Sequence, residues 1–237
     1  MANPFFKFKK FTVYHDKCAM KVGTDGVLLG AWTNVIKAER ILDIGTGSGL
    51  IAMMLAQRNK DTMIDAIDIE EGAFIQAIEN VAASPFRERI AVHLAPLTEY
   101  AESISCKYDL IVSNPPYFGQ SLTSPDEHRT IARHTTTLTL DALLSDSLSI
   151  LNSEGRIALI LPSSKEKELK AAAEVYSLTI QRKTNVVPTP NAMHKRILIE
   201  LTRKENAKKC TTNNLLLEIS RHQYSPEYKS LTSEFYL

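Results

Sequence analysis

Asn114-Pro115-Pro116-Tyr117 is a short run whose residue types suit one kind of chemistry. An amino group conjugated to a purine ring or an amide is a poor nucleophile, because its lone pair is delocalised. The Asn114 side-chain oxygen and the Pro115 carbonyl can accept its two hydrogens, aim the lone pair at an electrophile and support positive charge growing on nitrogen. Pro115 and Pro116 fix φ and offer no N–H, so the peptide is stiff. Tyr117 supplies a flat face against which a planar acceptor can stack. No strong general base is needed, since the proton can leave afterwards. Read alone, Asn-Pro-Pro is also an ordinary strand-terminating turn.

A second run, Asp43-Ile44-Gly45-Thr46-Gly47-Ser48-Gly49, has the form of a nucleotide-binding loop. Its glycines Gly45, Gly47 and Gly49 let the backbone turn tightly and approach a ligand with no Cβ in the way. The spacing is GxGxG, and the third position of the dinucleotide GxGxxG fingerprint is Leu50, which argues against NAD. Both patterns put a nucleotide at the carboxyl edge of the first strand. Asp68 follows Asp43 by about 25 residues, close to the spacing at which an acid accepts hydrogen bonds from ribose hydroxyls, with Glu70 as the neighbouring alternative.

These runs need a frame that brings strand ends together. From Arg40 onward, short apolar runs alternate with helical patterns, as in a parallel sheet covered on both faces. Strands are expected at Ile41–Ile44, Met63–Asp68, Ile90–Leu94, Asp109–Val112 and Arg156–Leu161. Helices are expected at Leu50–Arg58, Glu71–Ala83, Leu140–Leu151 and Lys165–Tyr176. Asn152, Glu154 and Gly155 read as a turn. Leu178–Val187 and Arg196–Leu201 have no long helix between them and suggest an antiparallel pair closing the sheet edge, with Leu215–Ile219 a possible addition. Tyr117–Thr139 reads as a long loop, which is usually functional or mobile.

Composition narrows the setting. Hydrophobic residues are 44% and charged residues 23% of 237, ordinary for a soluble globular chain. A formal charge of +1 leaves any RNA-binding surface to local patches. Cys18, Cys106 and Cys210 form neither a metal pattern nor a disulfide framework, so a reduced, cytosolic setting is expected. No apolar run approaches a membrane span, and the six histidines show no metal-binding spacing. No membrane and no metal are expected, and no feature sets the oligomeric state, with a monomer favoured.

Together the loop and the Asn-Pro-Pro-Tyr run resemble class I, Rossmann-fold methyltransferases that use S-adenosylmethionine (SAM), in the branch that modifies amino groups. The stretch from Met20-Lys21-Val22-Gly23-Thr24-Asp25 to Trp32 is similar to the upstream cofactor-side motif of bacterial tRNA adenine-N6-methyltransferases that modify valine tRNA beside its anticodon. Arg133-His134-Thr135-Thr136-Thr137-Leu138, and the ending from Tyr224-Ser225 to Phe235-Tyr236-Leu237, resemble the same family.

The resemblance implies an α/β fold: a Rossmann-like, mainly parallel seven-stranded sheet with one antiparallel edge strand and helices on both faces. It implies one domain over 1–237, with 1–39 an N-terminal extension carrying the upstream motif and 40–237 the core and C-terminal edge. The implied reaction is methyl transfer from SAM to N6 of an adenine in tRNA. By position, Asp43, Gly45, Gly47, Gly49 and Asp68 would contact SAM, with Lys21, Thr24 and Asp25 near its methionine end. Asn114, Pro115, Pro116 and Tyr117 would hold the base. Pro96 stands where relatives usually place an Asp that meets the cofactor's adenine, which leaves the backbone N–H of Leu97 to serve that ring.

Phe5, Phe6, Phe8 and Phe11, interleaved with Lys7, Lys9 and Lys10, read either as an arm on RNA or as cover for the sheet edge. Lys195 and Arg196 beside the late strands are further candidates for phosphate contacts, or are simply a solvated face. Two other functions fit the core. One is methylation of a protein glutamine N5, although such enzymes carry a larger N-terminal domain than the roughly 40 residues available here. The other is a non-catalytic RNA-binding protein that keeps the SAM fold.

Overall fold

The structure is a computed structural model that describes residues 3–116 and 138–236. Tyr117, Arg133–Thr137 and most of the expected long loop lie outside the described residues. The chain opens with a hairpin, β1 (Phe5–Lys7) and β2 (Thr12–Tyr14), followed by α1 (Thr24–Trp32). Then come β3 (Arg40–Ile44), α2 (Leu50–Arg58), β4 (Met63–Asp68), α3 (Glu71–Ala82), β5 (Ile90–Leu94), α4 (Leu97–Ser103) and β6 (Tyr108–Ser113). After the segment that is not described follow α5 (Leu140–Ser149), β7 (Leu151–Pro162), α6 (Glu166–Val175), β8 (Leu178–Val187), β9 (Arg196–Arg203) and β10 (Thr211–Leu216). A short hairpin, β11 (Glu218–Ser220) and β12 (Gln223–Tyr224), and α7 (Pro226–Thr232) close the chain.

The main sheet runs β10-β8-β9-β7-β6-β3-β4-β5. It is mostly parallel and α/β, as expected, and differs in two respects. It has eight strands rather than seven, and the antiparallel strand β9 is interior, between β7 and β8. The edge beyond β8 is β10, which pairs with it in parallel. The expected turn at Asn152–Gly155 lies within β7. Leu151 partners Tyr108 and Arg156 partners Leu110, so the turn residues form a bulge that leaves the strand unbroken.

Successive side chains along each strand point to opposite faces, and both faces are apolar. Ile41, Leu110, Ala158 and Leu198 join a core with residues of α1, α2 and α7. Leu42, Ile111, Leu159 and Ile199 join a second core with α4, α5 and α6. Helix α1 lies close on α2 because Gly26 and Gly30 present no side chain there. A Cβ on Gly30 would stand 2.8 Å from Met54 Sδ. The N-terminal phenylalanines divide: Phe8 and Phe11 are buried, while Phe5 and Phe6 are partly exposed.

Candidate active site

The glycine loop joins the end of β3 to the start of α2. Gly45, Gly47 and Gly49 all have positive φ, at 69°, 58° and 78°, where a side chain would be strained. At Gly45 and Gly47 a Cβ would meet nothing within 4 Å among the described residues, which leaves the loop's outer surface open to a ligand on their side. Gly45 and Thr46 donate their N–H groups to Ile67 O at 2.9 and 3.0 Å, which ties the loop to the end of β4.

Asp43 lies beneath this loop, fully buried. Its Oδ2 accepts from Thr46 Oγ1 at 2.7 Å and from Ala52 N, in the first turn of α2, at 3.2 Å. Its Oδ1 is buried without a partner. Burial pushes the Asp43 carboxyl up to about 7, against those two hydrogen bonds, which favour the charged form. A buried carboxylate oxygen with no donor is costly, and a ligand donor entering over the open loop would satisfy it. The donor set therefore fits SAM, whose ammonium group is such a donor.

Asp68, 8% exposed at the end of β4, shares the crevice. Its Oδ2 accepts from Gly47 N at 2.8 Å and its Oδ1 from Glu70 N at 3.0 Å. Asp68 therefore also braces the loop, beyond the ribose role read from its spacing. Glu70 is exposed and contributes its backbone N–H to Asp68. Asp68→Ala is accordingly expected to weaken SAM binding at least about 10-fold, from a lost charge-assisted bond and a loosened loop. Calorimetry on a variant with unchanged circular dichroism checks this, and unchanged affinity would remove Asp68 from the site.

On the other side of β3, Ser113 ends β6 beside Ile44 and donates its Oγ–H to Ile44 O at 2.9 Å. Asn114 and Pro115 follow, with Pro115 buried and Pro116 exposed. The Asn-Pro-Pro run and the glycine loop thus leave adjacent strands at the same carboxyl edge, where the strand order reverses.

The remaining candidates spread along this edge. Pro96 is the N-cap of α4 with no side-chain cap bond, and Leu97 begins that helix with a buried side chain. Lys21 and Thr24 are exposed. Asp25 Oδ2 accepts from Arg196 Nε at 2.7 Å, so two residues read for different roles form one ion pair joining α1 to the start of β9. Lys9 Nζ donates to Ser233 O at 2.6 Å, while Lys7, Lys10 and Lys195 are exposed. Among the described residues, no group of three or more His, Cys, Asp or Glu is placed to hold a metal, and no helix is long and apolar enough to cross a membrane.

Two residues lie near the crevice that the sequence did not assign to it. Cys18 lies close enough to Asp68 that burial, with the charges of Asp68 and Asp16, pushes its thiol up to about 11. Asn80, on α3, bonds to Ser48 of the loop. Neither residue belongs to a motif.

Comparison with known proteins identifies the family and the fold. Residues 20–185 match the family model "Methyltransferase small domain". A predicted O-methyltransferase from Agrobacterium tumefaciens shares the fold at a TM-score of 0.67 and 20% identity, over 89% of this chain and 96% of that one. Fold and site define a class I SAM-dependent methyltransferase, with SAM as the cofactor. A protein of Parabacteroides distasonis named tRNA1(Val) (adenine(37)-N6)-methyltransferase is 55% identical over 100% of this chain and 99% of its own length. One of the same name from Trichodesmium erythraeum is 44% identical over 98% and 97%. The chain belongs to the tRNA1(Val) (adenine(37)-N6)-methyltransferase family.

Proposed function

We propose that this chain methylates N6 of adenine 37, beside the anticodon of valine tRNA, in the cytoplasm and as one domain spanning 1–237. The observation that carries the reading is the adjacency of Asn114-Pro115 and the glycine loop, held by the Ser113–Ile44 hydrogen bond. Bound SAM supplies an electrophilic methyl group on a sulfonium. The chain's residues orient the nucleophile. Asn114 Oδ1 and the Pro115 carbonyl accept the two hydrogens of the adenine amino group, which directs its lone pair outward and stabilises the charge that grows on nitrogen. Tyr117 stacks on the base after it has turned out of its own stack. Asp43, Gly45, Gly47, Gly49 and Asp68 hold SAM, Lys21, Thr24 and Asp25 line its methionine end, and the Leu97 N–H serves its adenine.

Labelled SAM incubated with unmodified valine tRNA, followed by nucleoside analysis, tests the reaction. N6-methyladenosine at position 37 is expected, and its loss when that adenine is replaced by guanine. Label in a protein glutamine instead, or SAM binding without transfer to any RNA, would overturn it.

Backbone contacts must supply most of the tRNA affinity, since one base offers little area. Lys7, Lys10 and Lys195 are the exposed candidates, with Lys9 and Arg196 already engaged to Ser233 and Asp25. Reversing Lys7, Lys10 and Lys195 together is expected to weaken tRNA binding and to flatten its salt dependence. The slope of log K against log salt should fall by about 0.7–0.9 per lost contact. SAM affinity should not move. An unaltered slope would put the RNA surface elsewhere.

A further inference from the structure

Gln76 and Asn80 are each 1% exposed. A buried primary amide is costly unless its N–H and C=O groups find partners; Gln76 Nε2 donates to Glu79 Oε2 of the same helix at 3.4 Å, and the other partners of these two lie outside α3. Asn80 Nδ2 donates to Tyr14 O at 2.8 Å and to Ser48 O at 2.9 Å. Its Oδ1 accepts from Tyr14 N at 2.9 Å. Both hydrogens and one acceptor lone pair are thus used. One turn earlier on α3, Gln76 Oε1 accepts from Lys17 N at 3.1 Å. One turn before that is Gly72, where a Cβ would lie 2.6 Å from Lys17 O.

Gly72, Gln76 and Asn80 are spaced i, i+4, i+8, so they share one face of α3. That face receives the backbone of residues 14–17. The chain then passes Cys18, beside Asp68, and reaches α1, whose Asp25 is paired with Arg196 at the start of β9. Residues 14–23 therefore run along the carboxyl edge of the sheet, from the end of β4 toward β9. Asn80 is the point where this strap and the glycine loop, through Ser48, are bonded to one side chain.

We propose that Asn80 is a positioning residue for the cofactor crevice, fixing the strap and the glycine loop in register with each other without touching SAM or the base. This rests on the reading that the glycine loop holds SAM. Asn80 bonds to the Ser48 carbonyl, and Asp68 accepts from the N–H of the preceding residue, Gly47. Between them two successive residues of the loop, Gly47 and Ser48, are held by side chains.

Asn80→Asp tests this. The aspartate keeps the shape and can accept from Tyr14 N, yet it cannot donate, and it sets a carboxylate oxygen against the carbonyls of Tyr14 and Ser48. SAM affinity by calorimetry is expected to fall about 10-fold, as for loss of a buried hydrogen bond. The KM for SAM should rise in parallel, with kcat at saturating SAM within about 2-fold, because the groups that meet the amine are unchanged. Trypsin cleavage after Lys17 and Lys21 should accelerate. Leu169→Ala, on the opposite face of the sheet, is the control for stability alone and should move neither SAM affinity nor cleavage at the strap. If Asn80→Asp does not fold, Gln76→Leu, which loses the bond from Lys17 N and the long bond to Glu79, is read by the same measurements. Unchanged SAM affinity or unchanged strap cleavage in the variant would overturn the proposal. If Asp68→Ala weakens SAM binding and Asn80→Asp does not, this proposal alone falls. If neither does, the glycine-loop reading falls with it.

Discussion

Asn114→Ala is expected to lower kcat by about 10²–10³-fold, the usual cost of removing one preorganised acceptor or donor from a developing charge. SAM affinity should stay within about 2-fold, because in the proposed reaction the side chain acts on the amino group of the substrate and that bond strengthens only as nitrogen becomes positive. The geometry supports this separation. Asn114 follows β6, whereas the loop and both crevice carboxylates belong to β3 and β4. Single-turnover rates and calorimetry on the same preparation check it. Near wild-type turnover would remove Asn114 from the mechanism, and a matched loss of SAM affinity would reassign it to the cofactor.

Asp43→Asn should act on stability and on cofactor binding in opposite directions. Burial holds the folded-state pKa of Asp43 near 7, above its ordinary value of 3.8. The folded chain therefore keeps a proton that the unfolded chain has released. The resulting stabilisation is complete below about pH 3.8 and is lost as pH rises through about 7. The variant carries no such penalty, because its amide oxygen can accept from Thr46 and Ala52. In the absence of SAM, the melting temperature of Asp43→Asn relative to wild type is expected to rise between pH 5 and pH 8. With SAM the order should reverse. The new NH2 stands where the unpartnered Oδ1 stood, so a charge-assisted bond worth about 1.5–3 kcal/mol is lost, or about 10- to 150-fold in affinity. A pH-independent difference in melting temperature would show that Asp43 ionises normally, and unchanged affinity would show that its free oxygen does not face SAM.

The parts of this site that were legible in the sequence are those whose chemistry is local. A glycine loop between a strand and a helix, and an Asn-Pro-Pro run after a strand, announce themselves within a few residues. Helices α2 and α3 and strands β4, β5 and β8 also fall where apolar periodicity put them, to within a residue. Helix α1 was visible as a motif and not as a helix. Its residues from Gly26 to Trp32 are all buried, which removes the polar face that periodicity needs, and its glycines read as loop formers although they serve the contact with α2. Strand β10 was half missed because Thr211–Asn214 are exposed, which removes the apolar alternation that marks a strand. The interior place of β9 comes from its insertion between β7 and β8, a pairing across the sheet that could not be read from either late strand by itself. Asn80 and Gln76 look like surface residues of a helix, and only the path of residues 14–17 across α3 makes them buried.

The bond from Lys9 N to Phe235 O, at 2.8 Å, has a consequence for biosynthesis. Phe8 stacks on Phe11 and on Tyr236, with ring centroids 4.8 and 6.0 Å apart. A ribosome makes the two phenylalanines more than two hundred residues before it makes Tyr236, so this aromatic cluster waits for nearly the whole chain to be synthesised. Contacts so distant in sequence form late and leave apolar surface uncovered in the meantime. Phe11 can meet Phe86 earlier, but the nascent chain carries Phe8 without its Tyr236 partner until residue 236 emerges, and a chain stalled before Tyr228 would present that ring to chaperones or proteases.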